Sequence, residues 1–256
     1  MKRYAFVVYT LLAASVSGSG PRAHAQSPSI RVLSSNGVKA VVLELQSDIE
    51  RTIGRSLSIE FSTASSLARN IGDGESFDVA ILPPALIEDL IAENKIVAES
   101  RVDFARTGVG VGARPDSGTR DVSTPATLKA TLLAAESVAF TADGQSRATI
   151  DAVFAELEIT QMMQSKALLL GPEEAPHAVA AGEAEIALTL VSEILPVPGL
   201  ELVGPLPAEL QNYVSFTAAR GVATGDARGA DALLEYLAGP AFAAVLRKYG
   251  MEPIGR

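Results

Sequence analysis

Between Ile30 and Glu93 short β-branched apolar runs alternate with stretches of helical period, and that alternation restricts the chain to an α/β fold. Ile30–Leu33, Leu57–Phe61 and Asp78–Leu82 are predicted strands, the last closed by Pro83-Pro84. Helices are predicted over 38–53, 65–71 and 85–93, the first two stopped near Gly54 and Gly72. Strand, helix, strand, helix, strand within roughly 60 residues makes a parallel βαβ sheet, whose ligand crevice lies at the carboxyl ends of its strands.

A second α/β unit follows an alternating Val-Gly strand at Thr107–Ala113. It has helices over 125–134, 147–157 and 175–181, and strands over 137–141, 168–170 and 186–190. Tyr213–Ala219 is a further connecting strand, and 230–248 a closing helix interrupted at Gly239-Pro240. Two α/β units joined by two extended segments predict two lobes with a two-segment hinge. Residues 26–108 plus 217–256 are expected in lobe 1 and 109–216 in lobe 2. Gly108, Gly110 and Gly112 fall inside the strand pattern, not at a strand-to-helix turn, so they suit close packing rather than a phosphate-binding loop.

The N-terminus has the pattern of an export signal. Lys2 and Arg3 precede an apolar run from Tyr4 to Val16, and small residues lead to Ala23-His24-Ala25, with cleavage expected before Gln26. The run is shorter than the ~20 residues that span a bilayer. A periplasmic address is expected for the mature chain. Without Lys2, Arg3 and Arg22 it holds 18 basic against 30 acidic residues, a net charge of −12. With no basic run, a nucleic-acid partner is not expected. The absence of cysteine excludes thiol nucleophiles, iron–sulfur clusters and cysteine zinc sites, and no paired-histidine spacing suggests a metal, so no cofactor is expected.

Three polar loops occupy corresponding places, each after a strand and before a helix: Ser34-Ser35-Asn36-Gly37, Ser62-Thr63-Ala64-Ser65-Ser66, and Asp143-Gly144-Gln145-Ser146. A helix start leaves backbone N–H groups unpaired and carries partial positive charge, so such loops bind anions. The same residue types also cap helices with no ligand at all. Arg147, in the first turn of its helix, is misplaced against the helix dipole unless its guanidinium forks onto a ligand carboxylate or turns to solvent. Lys39, Arg69, His177 and the Glu173-Glu174 pair are assigned mainly to the surface.

The order of these segments resembles the periplasmic molybdate-binding family. The resemblance rests on Ile30–Gly37, Phe61–Ile71, Phe77–Ile81, Gly182–Leu188, and the ending from Leu237-Ala238-Gly239-Pro240-Ala241 to Tyr249-Gly250. It implies a type II periplasmic binding fold whose two lobes close over a small anion, with an ABC permease as partner and a monomeric state. The chain departs from the family at the ligand: Gly37 and Ala64 stand where ligand serines are expected, and Leu190 where a tyrosine donor is. Ser35, Thr63 or Ser65 would have to replace them. A site that loses such donors loses selectivity for a tetrahedral dianion.

An organic acid is therefore expected in preference to molybdate. Its site is expected to comprise Ser34, Ser35, Asn36, Gly37, Thr63, Ala64, Ser65, Ser66, Gln145, Ser146, Arg147 and Thr189. The alternative is an enzyme resembling periplasmic aconitate isomerase, which has the same fold and would use the cleft for allylic proton transfer on a tricarboxylate. Its base is left open among Lys39, Ser35, Ser65 and His177.

Overall fold

The computed structural model describes residues 29–254; the expected export signal lies outside them. The first half follows the predicted alternation. Strands β1 (Ile30–Ser35), β2 (Leu57–Ser62) and β3 (Val79–Leu82) are parallel and lie in the order β2-β1-β3. They alternate with helices α1 (Lys39–Ile53), α2 (Ala64–Gly72) and α3 (Pro84–Ala92), α1 being preceded by a 3-10 turn over Asn36–Val38. Gly54 closes α1 in the left-handed region at φ 66°, as a residue without Cβ can.

Strand β4 begins five residues earlier than the sequence suggested, running from Val102 to Ala113. The charged residues Asp103 and Arg106 hid its first part, since they sit where the strand pairs near the surface. After it come α4 (Pro125–Ala134), β5 (Val138–Thr141), α5 (Arg147–Glu156), the short α6 (Thr160–Gln164), β6 (Ala167–Leu170), α7 (Glu174–Ala181) and β7 (Ile186–Leu190). β5 pairs in parallel with β6 and β7, giving the order β6-β5-β7. This is the order of the first half repeated. A one-turn helix α8 (Val191–Ile194) and strand β8 (Glu201–Pro205) follow, and the sequence signalled neither.

The two halves are one sheet, in the order β2-β1-β3-β9-β4-β7-β5-β6, where β9 is Tyr213–Arg220. β4 pairs with β9 over Val102–Gly108 and with β7 over Val109–Gly112, so its partners change between Gly108 and Val109. β9 pairs with β3 and with the first part of β4. The chain then returns to the first half through α9 (Ala227–Leu237), α10 (Pro240–Leu246) and β10 (Met251–Pro253), which pairs with β4. The helix break falls at Gly239-Pro240, where Pro240 takes a first-turn position that its missing N–H suits.

One contiguous core reaches across both halves, joining Ile30, Val41, Val79 and Phe216 to Val109, Val138, Phe140 and Ile186. Phe216 on β9 is fully buried at its centre. A Cβ on Gly37 would lie 2.5 Å from the Phe216 ring and 2.8 Å from a Leu190 methyl. The position therefore holds glycine for lack of space. Gly37→Ser should cost roughly 1–3 kcal/mol, since a packed aromatic must give way; urea unfolding of the variant measures this, and an unchanged midpoint would show that Phe216 moves freely.

Candidate functional site

The carboxyl ends of the two strand sets face one another, and the loops leaving them meet. An inner cavity of about 20 Å3, room for about one water, is lined by Asn36, Thr63, Ala64, Gln145 and Ser146 from the predicted loops. Thr141, Pro172, Glu173 and Glu193 also border it. A wider cavity of about 210 Å3 adjoins it, sharing Asn36, Glu173 and Glu193 and adding Lys39, His177 and Ser192. Together they form a cleft between the halves.

Among the described residues, four buried polar side-chain atoms have no hydrogen-bond partner: Ser35 Oγ, Asn36 Oδ1, Gln145 Nε2 and Ser192 Oγ. Asn36, Gln145 and Ser192 line the cleft, and Ser35 adjoins Asn36 at the end of β1. A buried polar group left unpaired costs about 1–3 kcal/mol. Such a cluster in one place calls for partners from water or a ligand.

Several predicted ligand residues are engaged elsewhere. Arg147 is one of these: its Nε bonds both Asp151 carboxylate oxygens at 2.9 Å, one turn along α5, and its Nη1 donates to the Ala142 carbonyl at 3.0 Å. The carboxylate it forks onto is thus its own neighbour's, and Arg147 lines neither cavity. Ser66 Oγ accepts from Thr63 Oγ1 at 2.8 Å and from Arg69 at 3.1 Å, so it serves the start of α2. Ser34 Oγ donates to the Ser35 carbonyl. Thr189 Oγ1 donates to Glu193. Ser65 borders neither cavity, and Gly37 is packed against Phe216 and Leu190. Thr63 does two jobs, capping α2 by accepting from Ser66 N while lining the inner cavity.

Lys39 and Glu173, expected mainly at the surface, and Glu193, which the sequence does not single out, line the cleft. Lys39 Nζ, on α1, lies 2.7 Å from Glu173 Oε2, in the loop between β6 and α7, so the pair bridges the halves. Lys39 opens α1, where a cation opposes the helix dipole, and Glu173 offsets it. Glu173 adopts φ 63°, a left-handed conformation unusual for a residue with a Cβ, which holds its carboxylate at this place. Glu193 on α8 accepts from Thr189, one turn before it. Part of the residue reaches the surface while its carboxyl is enclosed, and burial pushes that carboxyl up to about 7, with the nearby Glu173 charge adding to the shift and the Thr189 bond opposing it.

With both cleft partners about one-third exposed, the Lys39–Glu173 bridge is worth at most about 1 kcal/mol. It biases the halves together without locking them. Lys39→Ala should accordingly raise the radius of gyration of the ligand-free protein in small-angle X-ray scattering, with little loss of thermal stability; identical scattering from both proteins would show that the bridge has no part in closure.

Residues 30–252 match the family of bacterial extracellular solute-binding proteins. A Pseudomonas aconitate isomerase is 26% identical over 230 residues, covering 88% of each chain. Among solved structures, the periplasmic molybdate-binding protein of Azotobacter vinelandii superposes with a TM-score of 0.75 at 14% identity, over 87% of this chain and 98% of that one. The sulfate-binding protein SubI of Mycobacterium tuberculosis gives 0.69 at 14% identity, over 89% and 88%. The fold is that of the type II periplasmic binding proteins, as the paired β2-β1-β3 and β6-β5-β7 orders also have it. On the strength of the match across nearly the whole described chain, this protein belongs to the bacterial extracellular solute-binding protein family.

Proposed function

We propose that the protein captures a small carboxylate-bearing anion in the cleft between its halves, in the periplasm, for delivery to an ABC permease. The cluster of unpartnered polar atoms at Ser35, Asn36, Gln145 and Ser192 carries this reading. Three of those groups can donate to an anion, and the starts of α1, α2 and α5 add the positive ends of their dipoles. The two halves act as lobes, and closure around the ligand selects it by shape. An organic acid is favoured over a tetrahedral oxyanion because Gly37 and Leu190 pack against Phe216 and offer no hydroxyl. The unpartnered acceptor, Asn36 Oδ1, further suits a ligand that carries a hydroxyl of its own.

A second reading follows from the aconitate isomerase relative, which aligns over 88% of both chains. Allylic isomerisation needs one group that takes a proton from carbon and returns it, with a proton affinity near the working pH. Glu193 meets that requirement better than Lys39, which is already paired with Glu173, or Ser65, which is outside the cavities.

A thermal-shift panel on residues 26–256 with sulfate, molybdate, citrate and trans-aconitate separates these readings. A ligand at about 100 times its dissociation constant adds ~2.7 kcal/mol, worth roughly 5–11 °C in a chain of this size. A shift with citrate or aconitate and none with the oxyanions is expected; the reverse pattern would overturn the organic-acid assignment. Conversion of trans- to cis-aconitate by the wild type, reduced about 100-fold or more in Glu193→Gln, would establish the isomerase instead.

A further inference from the structure

The cleft's charge is poorly arranged for an anion. Its side chains include two carboxyls, Glu173 and Glu193, and one ammonium, Lys39, which is already bonded to Glu173 at 2.7 Å. Arg147 is turned onto Asp151 and Ala142 and adds nothing. The remaining titratable groups nearby are His177 on α7, which lines the outer cavity, and Asp143, whose carboxylate lies 3.5 Å from Thr63 Oγ1. With Glu193 ionised, an entering carboxylate would meet an uncompensated negative charge enclosed by protein, with the orphaned donors of Gln145 and Ser192 beside it.

We infer that Glu193 binds a proton when the anion enters, so that the protein captures carboxylate and proton together and Glu193 serves as a hydrogen-bond donor to the ligand. The carboxyl's position makes this economical. Thr189 Oγ1 donates to Glu193, so one oxygen is held and oriented while the group remains free to carry a proton. Protonation removes the unpaired charge of Glu193 and adds a donor to those of Gln145 and Ser192. Burial already lifts the Glu193 carboxyl to about 7, so the proton is available at neutral pH. An anion alongside raises it further. The sign follows from linkage: a group whose proton affinity rises on binding strengthens binding at low pH and weakens it as pH climbs through the free-state value.

This inference rests on the anion-capture reading and specifies the form in which the anion is held: with one proton more than the free partners carry. Isothermal titration calorimetry at pH 8 in Tris and in HEPES, whose ionisation heats differ, counts that proton directly. Sulfate, citrate and trans-aconitate serve as probes, all fully ionised at that pH. Free Glu193 would be largely ionised there, so binding should draw up to one proton from the buffer, and affinity should weaken toward tenfold per pH unit at higher pH. Glu193→Gln carries a permanent neutral donor, and its affinity should not vary between pH 7 and 9. Binding by the wild type with equal heats in both buffers, or with proton release, overturns the inference and leaves anion capture standing. Absence of binding by all three probes overturns both.

Discussion

The cleft exists because a single strand, β4, joins the two sets of parallel strands into one sheet. Its first part pairs with β9 and its second with β7, so hydrogen bonding runs unbroken from β2 to β6. That continuity turns the carboxyl ends of β1 and β2 toward those of β5 and β6. The orders β2-β1-β3 and β6-β5-β7 then put corresponding loops opposite one another, the 34–37 loop matching 143–146 and the 62–66 loop matching 171–174. A crevice at the switch point of each parallel sheet is the ordinary place for a ligand in an α/β fold. Here two such crevices share one volume.

Inside that volume the electrostatics follow from packing more than from composition. The full chain carries −9, yet the cleft uses one ammonium, two carboxyls and a set of neutral donors. Gly37 gives the β1–α1 turn room to pass Phe216 and Leu190, at the expense of a hydroxyl there. Lys39, two residues on, supplies the local positive charge and ties it across the cleft to Glu173. Glu193 is left with a hydroxyl partner and no cation, which makes it the group whose proton is most sensitive to what occupies the cleft.

Much of this was legible in the sequence, and the misses have physical causes. Elements with clear end signals or a continuous apolar run, such as Pro125–Ala134 with proline in its first turn and Ile186–Leu190, fall where the sequence puts them. The start of β4 and the strand β10 were hidden because edge and surface strands carry charges, such as Asp103, Arg106 and Glu252, that break the alternation. The loops holding Asn36, Thr63 and Gln145 were visible as polar segments between a strand and a helix. The loop with Glu173 was passed over because Pro172-Glu173-Glu174 lacks hydroxyls and glycine-rich spacing, although its place after β6 mirrors the Thr63 loop after β2. Arg147 misled for a sound reason, a cation at a helix start; the compensating carboxylate was four residues away, at the i,i+4 spacing of Asp151. Glu193 had no local signal, since its burial arises from the approach of the other half.

Whether a small anion completes the orphaned polar groups of the cleft is tested most directly by a crystal structure of the protein with citrate or trans-aconitate. Ligand density is expected between the halves, with polar contacts to Gln145 and Ser192 and a carboxylate oxygen within hydrogen-bond distance of Glu193. Density confined to the concavity lined by Arg120, Gln211 and Tyr213, with the four cleft groups still unpartnered, would contradict it.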